Sequence, residues 1–182
     1  LVVDTHNRFF SKNKKNYERT RLQSIRRLAE RFQLDPEKGK MIRERCLPIY
    51  NALLEDPEVA EHPKLNDEEN LLQAACFLCE VGKSVNYSKY HRHSAYIIRQ
   101  CDIIGFTQHD LSIMAAIVQF HRKSVMSTKK IADYPLLIPI IERLKFLSLC
   151  LRLAITLNRT WQPDFKFSNI ESSEKYLEFT FP

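Results

Sequence analysis

Glycine is scarce in this chain, which has three among its 182 residues: Gly39, Gly82 and Gly105. Nucleotide-binding α/β folds need several glycines in one loop, because only glycine lets the backbone approach phosphates closely. The composition therefore argues against these folds and favours helices. Long apolar runs are also missing: no stretch approaches the length that a membrane-spanning helix requires, so we predict no membrane span.

A disulfide framework is not indicated either. The five cysteines are odd in number and lie mostly within apolar patterns, at Cys46, Cys76, Cys79, Cys101 and Cys150. This usage favours reduced thiols and a cytoplasmic location. Cys76 and Cys79 form a CxxC pair, but neither a thioredoxin-like context nor a second pair for zinc accompanies it. We predict buried, unreactive thiols there.

What the chain does contain is helical periodicity, because apolar residues recur at the spacing of a helix through most of residues 17–158. Start signals precede three of the predicted helices: Asp35-Pro36, Asn66 with Glu69, and Thr107 with Asp110. The second of these helices is predicted to continue to Gly82. The apolar stretch "LLIPIIERLKFLSLCLRLAITLN" predicts one long buried helix over residues 135–158.

The period changes near the end, where "FKFSNI" and "YLEFTF" alternate apolar and polar residues around the turn "ESSEK". This pattern predicts a β-hairpin, which must pack on the helices to be stable. The sequence therefore predicts a mainly α fold with a small C-terminal β-hairpin. We expect residues 1–15, which end in the basic run "SKNKKN", to be a linker. Residues 16–160 would form the helical domain and residues 161–182 a hairpin annex that is truncated at Pro182.

The segment "ACFLCEVGK" resembles the metal-binding helix of HD-domain phosphohydrolases, which reads roughly "AALLHDIGK". The resemblance implies an HD-like helical bundle and puts Cys79-Glu80 at the His-Asp doublet, with His93 and His121 as later ligand positions. A hard divalent cation needs neutral imidazoles and carboxylates converging on it. The doublet is lost and no histidine precedes His62 except His6. We therefore predict no bound metal, with an active metal phosphohydrolase as the alternative.

A closer resemblance is carried by "RLAERFQLD", "HPKL", "CEVGKSVNYSKYHRHSAYII", "GFTQHDLSIMAAIVQFHRK" and "LEFTFP". These segments are similar to the C-terminal region of the exopolyphosphatase / guanosine pentaphosphate phosphohydrolase family (Ppx/GppA). Many of its members have His where this chain has Cys79. The resemblance implies that catalysis belongs to N-terminal domains of the actin-like ATPase superfamily, for which we expect Mg²⁺. We expect no cofactor in residues 1–182, and no hydrolysis by this chain alone.

The same resemblance implies a homodimer, contact with the chain's own N-terminal catalytic domains, and a basic channel for inorganic polyphosphate or guanosine pentaphosphate. The net charge of +6 suits such an anionic partner but does not identify it. Nucleic-acid binding through the same basic surface is a further alternative.

We predict the phosphate site at a helix start, where backbone N–H groups and the helix dipole favour anions. The candidates at this start and at the end of the following helix are Asn86, Ser88, Lys89, His91, Arg92, His93, Arg122 and Lys123. Without a ligand, the first six would serve as capping residues and a core histidine, and the last two would complement a helix dipole. Four arginines of the first predicted helix would only form a face exposed to solvent: Arg19, Arg21, Arg26 and Arg27.

Overall fold

The computed structural model describes the backbone of residues 2–160, 169–172 and 177–180, and the side chains of residues 16–158, 170 and 178–180. These ranges confirm a mainly α fold with a small hairpin. The elements are α1 (Val2–Arg31), α2 (Pro36–Leu54), α3 (Pro57–Ala60), α4 (Glu68–Leu78), α5 (Tyr90–Gln100), α6 (Gln108–Phe120), α7 (Ile141–Thr160), β1 (Asn169–Ser172) and β2 (Leu177–Thr180), with 3-10 helices over Val81–Ser84 and Pro135–Ile140.

Two of the predicted helix starts are confirmed. The Asp35 carboxylate accepts a hydrogen bond from the backbone N–H of Glu37 at 3.0 Å, and Pro36 occupies the first position of α2. Thr107 and Asp110 form a reciprocal capping box at the start of α6, with bonds of 3.1 and 2.9 Å. Both caps satisfy N–H groups that have no partner within the helix.

The third start and the end of the same helix were predicted wrongly. The residue before α4 is Asp67 rather than Asn66, and its carboxylate bonds to Asn70 and to Arg21 instead of capping the helix. The helix ends at Leu78, and a separate 3-10 helix contains Gly82.

The single long helix predicted over residues 135–158 is divided. A 3-10 helix covers Pro135–Ile140, and α7 begins at Ile141. Pro139 has no N–H to donate and its ring clashes with the preceding turn, so an α-helix cannot run regularly through it. From there on α7 is central, as predicted, and several of its side chains are fully buried: Leu144, Leu147, Cys150, Leu151 and Ala154.

The core lies between α2, α4, α6 and α7, which pack against one another, while α5 packs along α6. The hairpin closes one side of it. β1 and β2 are antiparallel, and Ile170 stands opposite Phe179 with both side chains against the core. The predicted hairpin is thus confirmed in these strands, whereas residues 165–168 and 173–176 lie outside the described residues.

The first helix is longer than predicted. Residues 2–15, which we predicted as a linker, continue α1 toward its N-terminus. Arg21 was wrongly placed on a solvated face. It is buried, pairs with Asp67 and Asp110, and donates from Nε to the Gly105 carbonyl at 2.6 Å. Arg21 thereby fixes α1 to two loops, while the other three arginines of the predicted solvated face, Arg19, Arg26 and Arg27, are exposed.

A buried ion pair connects three of the core helices. Arg143 of α7 donates from Nε and Nη2 to the two carboxylate oxygens of Glu68, each at 2.6 Å. Tyr50 of α2 donates to the same carboxylate at 2.8 Å, and the Leu65 N–H does so at 3.0 Å. Burial alone would raise the pKa of Glu68, but these donors outweigh it and lower the pKa. The pair is charged and fully hydrogen-bonded, as a buried pair must be.

No helix within the described ranges has the length and apolar character needed to cross a bilayer.

Candidate functional site

The positions that correspond to a metal doublet hold no free ligands. Glu80 forms ion pairs with two lysines. Its Oε2 lies 2.7 Å from Lys38 Nζ, and its Oε1 lies 2.6 Å from Lys83 Nζ. Burial alone would raise the pKa of Glu80, but the two lysines lower it. The carboxylate is therefore neutralised by two side chains of the domain itself.

Cys79 and His121 do not complete a site around Glu80. The Cys79 thiol is buried and donates to the Cys76 carbonyl at 3.3 Å, and burial raises its pKa well above the usual range. His121 instead contacts Tyr90 and His91. Across the part of the chain that the structure describes, no three His, Cys, Asp or Glu side chains are grouped as metal ligands. These residues do not fit a divalent cation. The absence of bound metal stays a prediction.

The segments "EVGK" and "HSAY" have a structural role in this chain. Ser94 of α5 donates to the Cys79 carbonyl and accepts from the Gly82 N–H, both at 2.8 Å. A Cβ on Gly82 would lie 2.3 Å from the Ser94 nitrogen and from the Tyr90 carbonyl oxygen. The glycine therefore lets the 3-10 helix touch the backbone of α5 and sets the position where α5 begins.

A groove of about 750 Å³ opens along α5 and the end of α6. Its lining residues are Lys89, His91, Arg92, Tyr96, Arg99, Gln119, Phe120, Lys123, Ser124, Lys130, Asp133 and Tyr134. Four of the predicted phosphate ligands are thus brought together: Lys89, His91, Arg92 and Lys123. The volume falls within the range that small-molecule sites occupy.

The other predicted ligands lie outside this groove. Arg122 lines a neighbouring cavity of about 200 Å³ that shares Lys123 with it. Asn86 and Ser88 form a turn before α5, in which the Asn86 side chain accepts from the Ser88 N–H at 2.7 Å. His93 packs on the other side of the helix start, where its Cβ faces Gly82.

Sequence reasoning missed several residues of the groove. Arg99 lies seven residues after Arg92 on α5 and therefore on the same helix face, a spacing that could have identified it. Lys130 and Tyr134 lie in the segment after α6. This segment has no helical or strand periodicity from which the orientation of its side chains could be predicted. Tyr134 donates to Gln119 at 2.9 Å, and the Arg99 guanidinium lies over its ring at 4.7 Å.

The charge of the groove is strongly positive. Its cations are Lys89, Arg92, Arg99, Lys123 and Lys130, and Asp133 is its single acidic residue. Clustered cations in a concave surface raise the local concentration of anions. The arrangement can therefore hold several phosphoryl groups, by charge and by hydrogen bonds from guanidinium and ammonium groups.

His91 adds a neutral polar atom to the groove. Its side chain is only 4% exposed, and its Nδ1 has no hydrogen-bond partner among the described residues. Burial lowers its pKa to about 4, with the positive charge of Arg122 as the next cause. A buried polar atom without a partner costs free energy unless a ligand or water satisfies it. Nδ1 is therefore a buried polar atom beside the groove that the described residues leave unsatisfied.

The end of α6, which contributes residues to both cavities, is bonded to Arg152 of α7. Arg152 donates from Nε to the His121 carbonyl and from Nη2 to the Phe120 carbonyl, each at 2.8 Å. These bonds satisfy carbonyls at the end of α6 that have no partner within the helix. The His121 ring contacts the Val118 carbonyl at 2.5 Å, and burial lowers its pKa to about 4.

We expect the free energy of unfolding to fall as the pH drops below about 6.5. The pKa values of His91 and His121 are about 4 in the folded protein. The unfolded chain therefore takes up protons first, and stability is lost between the unfolded and folded pKa values. Each group contributes a slope of up to about 1.4 kcal/mol per pH unit. Denaturant unfolding across this window measures the slope, which His121→Gln should reduce. An unchanged slope in this variant would contradict the assignment, and His109→Gln is the exposed control.

Comparison with known proteins agrees with this architecture. Residues 20–181 match the family described as Ppx/GppA phosphatase, domain III. Over 105 residues the chain is 29% identical to a Pseudoalteromonas atlantica (strain T6c / ATCC BAA-1087) protein named guanosine-5'-triphosphate,3'-diphosphate pyrophosphatase. A Pseudoalteromonas translucida (strain TAC 125) protein of the same name is 26% identical over 105 residues.

Each of these alignments covers 58% of this chain and 20% of the relative, so the matched part is about a fifth of the relatives' length. The family match covers nearly the whole chain, including all helices from α2 to α7 and both strands. The helical domain with its basic groove therefore corresponds to domain III of these proteins, and this chain belongs to the Ppx/GppA phosphatase family.

Proposed function

We propose that this domain binds a polyanionic phosphate substrate without catalysing its hydrolysis, and that it contributes to a homodimer of an exopolyphosphatase / guanosine pentaphosphate phosphohydrolase. The observation that carries the proposal is the groove with five cations and one acid along α5. Catalysis would belong to N-terminal domains of the same protein, which would use Mg²⁺ to act on phosphoanhydride bonds.

Inorganic polyphosphate and guanosine pentaphosphate both meet the chemistry of the groove. Each presents a row of phosphoryl groups, to which lysine and arginine bind mainly through charge and release of counterions. The names of the two similar proteins support the guanosine compound. The groove is open to solvent on one side, as a long chain of phosphates would require, and its cations come from α5, the end of α6 and the following loop.

Arg92→Ala should weaken binding of polyphosphate about tenfold, because one charge-assisted hydrogen bond contributes on the order of 1.5–3 kcal/mol. Arg92 lies in the first turn of α5 with its side chain in the groove, next to Lys89 and His91. Titrations of this chain with polyphosphate, repeated across a salt series, measure the loss.

Arg27→Ala is the matched control for this measurement. Arg27 is exposed on α1 and lines none of the cavities described above. Arg27→Ala should weaken binding of polyphosphate a few-fold at low salt and hardly at all at high salt, because exposed charges are screened. Equal losses in the two variants would mean a diffuse basic surface and would contradict a site in the groove. Circular dichroism checks that both variants are folded.

Two other functions give different results in the same experiments. A metal-dependent phosphohydrolase would lose activity with a chelator, but its ligand positions are not brought together here. Nucleic-acid binding through the groove would show as preference among RNA sequences in competition with polyphosphate, because base contacts carry the specificity.

A further inference from the structure

The smaller cavity beside the groove is not used by the proposed function. Its volume is about 200 Å³, and it lies between the start of α5, the end of α6 and the second half of α7. Six of its lining residues carry polar or charged groups: Tyr90, His121, Arg122, Lys123, Arg152 and Thr156. Sites for drug-sized ligands have volumes of about 300 Å³ or more. This cavity therefore suits a small ion or molecule.

Contacts between the three helices fix the polar groups of this cavity. Arg152, which is bonded to the end of α6, is followed one turn later by Thr156, whose Oγ1 donates to the Arg152 carbonyl at 2.9 Å. On the side of α5, the guanidinium carbon of Arg122 lies 5.0 Å from the centroid of the Tyr90 ring. The Tyr90 hydroxyl lies 3.4 Å from Nε2 of His121. A ligand would thus meet groups that are already held in position, which lowers the cost of binding.

The charge of the cavity is positive and has no counter-charge from the protein. Arg122, Lys123 and Arg152 line it, and no acidic side chain does so among the described residues. Within the same ranges, none of these three cations forms an ion pair with a carboxylate. Like charges repel one another, whereas an anion between them would gain charge-assisted hydrogen bonds. The cavity therefore favours a small anion over a metal cation.

The backbone at Lys123 is a second sign that this side chain is used. Lys123 follows the end of α6 and has a φ of 70°, in the left-handed region. Glycine is the usual residue in this conformation after a helix, because it has no Cβ to clash with the backbone. A non-glycine residue held in this region is a basis for inferring a function.

His121 supplies the cavity with a hydrogen-bond acceptor. Its Nδ1 lies 2.5 Å from the Val118 carbonyl oxygen, which can only accept, so Nδ1 carries the ring proton. Burial lowers the pKa of His121 to about 4, so the ring is neutral near pH 7 and Nε2 has a free lone pair. A protonated phosphate ion can donate a hydrogen bond from its hydroxyl group, whereas sulfate at this pH can only accept. The acceptor therefore favours phosphate over sulfate.

We propose that the smaller cavity binds one inorganic phosphate ion, held by the charges of Arg122, Lys123 and Arg152, with His121 Nε2 accepting a hydrogen bond from its hydroxyl group. This site goes beyond the proposed function, because a phosphate chain in the groove does not fill it. Lys123 lines both cavities, but Arg122 lines the smaller one and Arg92 the groove. The two sites can therefore be tested separately.

Titration of this chain with sodium phosphate at constant ionic strength tests the inference. Arg122→Ala should weaken phosphate binding about tenfold, because it removes a charge-assisted hydrogen bond. Arg27→Ala is the control and should leave phosphate binding unchanged, since Arg27 is exposed on α1 and lines neither cavity. Sodium sulfate should bind to the unaltered chain more weakly than phosphate does.

Thr156→Asp tests the same cavity without removing Arg122 from the Tyr90 ring. The added carboxylate would neutralise the cations and repel the ion, so phosphate binding should be lost. Thr20→Asp is the matched control, because Thr20 is also exposed on a long helix and donates to the carbonyl four residues earlier at 2.9 Å. This variant should bind phosphate as the unaltered chain does.

Four results would overturn the phosphate site. Arg122→Ala and Arg27→Ala could lose the same affinity, or Thr156→Asp and Thr20→Asp could bind phosphate alike. Sulfate could bind as tightly as phosphate, which would leave charge alone as the cause. Arg92→Ala could lose as much phosphate affinity as Arg122→Ala, which would place the ion in the groove. The proposed function would stand after any of these results, because it depends on the binding of polyphosphate in the groove.

Discussion

Arg143→Ala will lower the free energy of unfolding by about 3–5 kcal/mol, because it leaves the Glu68 carboxylate charged and buried without its main partner. Arg143 makes two bonds of 2.6 Å to this carboxylate, and both side chains are almost fully buried. Tyr50 and the Leu65 N–H remain, but two neutral donors do not replace a guanidinium. Denaturant unfolding monitored by circular dichroism measures the loss.

Lys145→Ala is the matched control in the same helix. Lys145 pairs with Glu142 at 2.7 Å on the surface of α7, where an ion pair contributes little. Lys145→Ala should change the free energy of unfolding by no more than about 0.5 kcal/mol. A combined Glu68→Leu and Arg143→Met variant should recover part of the loss, because it removes both charges together. If Arg143→Ala and Lys145→Ala were equally mild, the buried pair would have no structural role.

Gly82→Ala should cost about 3 kcal/mol of unfolding free energy, the upper end of what overpacking a well-packed site usually causes. The added methyl group would lie 2.3 Å from two backbone atoms of α5, the Ser94 nitrogen and the Tyr90 oxygen. Backbone atoms within a helix cannot move aside as a side chain can. The 3-10 helix must therefore separate from α5, which also breaks the Gly82–Ser94 hydrogen bond.

Gly39→Ala provides the comparison for this variant. The methyl group added at Gly39 would lie 2.6 Å from a ring carbon of Phe77, whose side chain is only partly buried and can turn. Its nearest backbone contact, the Phe77 Cα at 3.2 Å, is longer than the two contacts of 2.3 Å at Gly82. Alanine in α2 also gains about 1 kcal/mol of helix propensity over glycine. We expect Gly39→Ala to be much milder than Gly82→Ala. The reverse order would show that the close approach at Gly82 does not limit stability.

The helices themselves were predictable because their buried faces and their ends depend on residues that are close in the sequence. Asp35-Pro36 and the Thr107–Asp110 pair are short-range signals, and both form the caps that their residue types favour. The helix start that carries Lys89, His91 and Arg92 was equally accessible from the sequence. These features depend on neighbours within a few residues.

Features that depend on distant partners were not predictable in the same way. Arg21 has the spacing of an exposed helix residue, yet it is paired with Asp67, which precedes α4, and with Asp110 in the first turn of α6. Glu68 has the position of an ordinary first-turn acid, and only Arg143, 75 residues later, explains its burial. The far end of the groove likewise depends on a loop after α6, whose path one sequence does not reveal.

The two lysines at Glu80 have a consequence for how the domain reaches its folded state. A structural metal ion stabilises a protein by mass action, so the folded fraction depends on the concentration of free metal in the cell. At Glu80 the positive charge is tethered to the chain at Lys38 and Lys83. Its effective concentration is set by chain geometry alone. The charge of Glu80 is thus balanced without any supply of free metal ions.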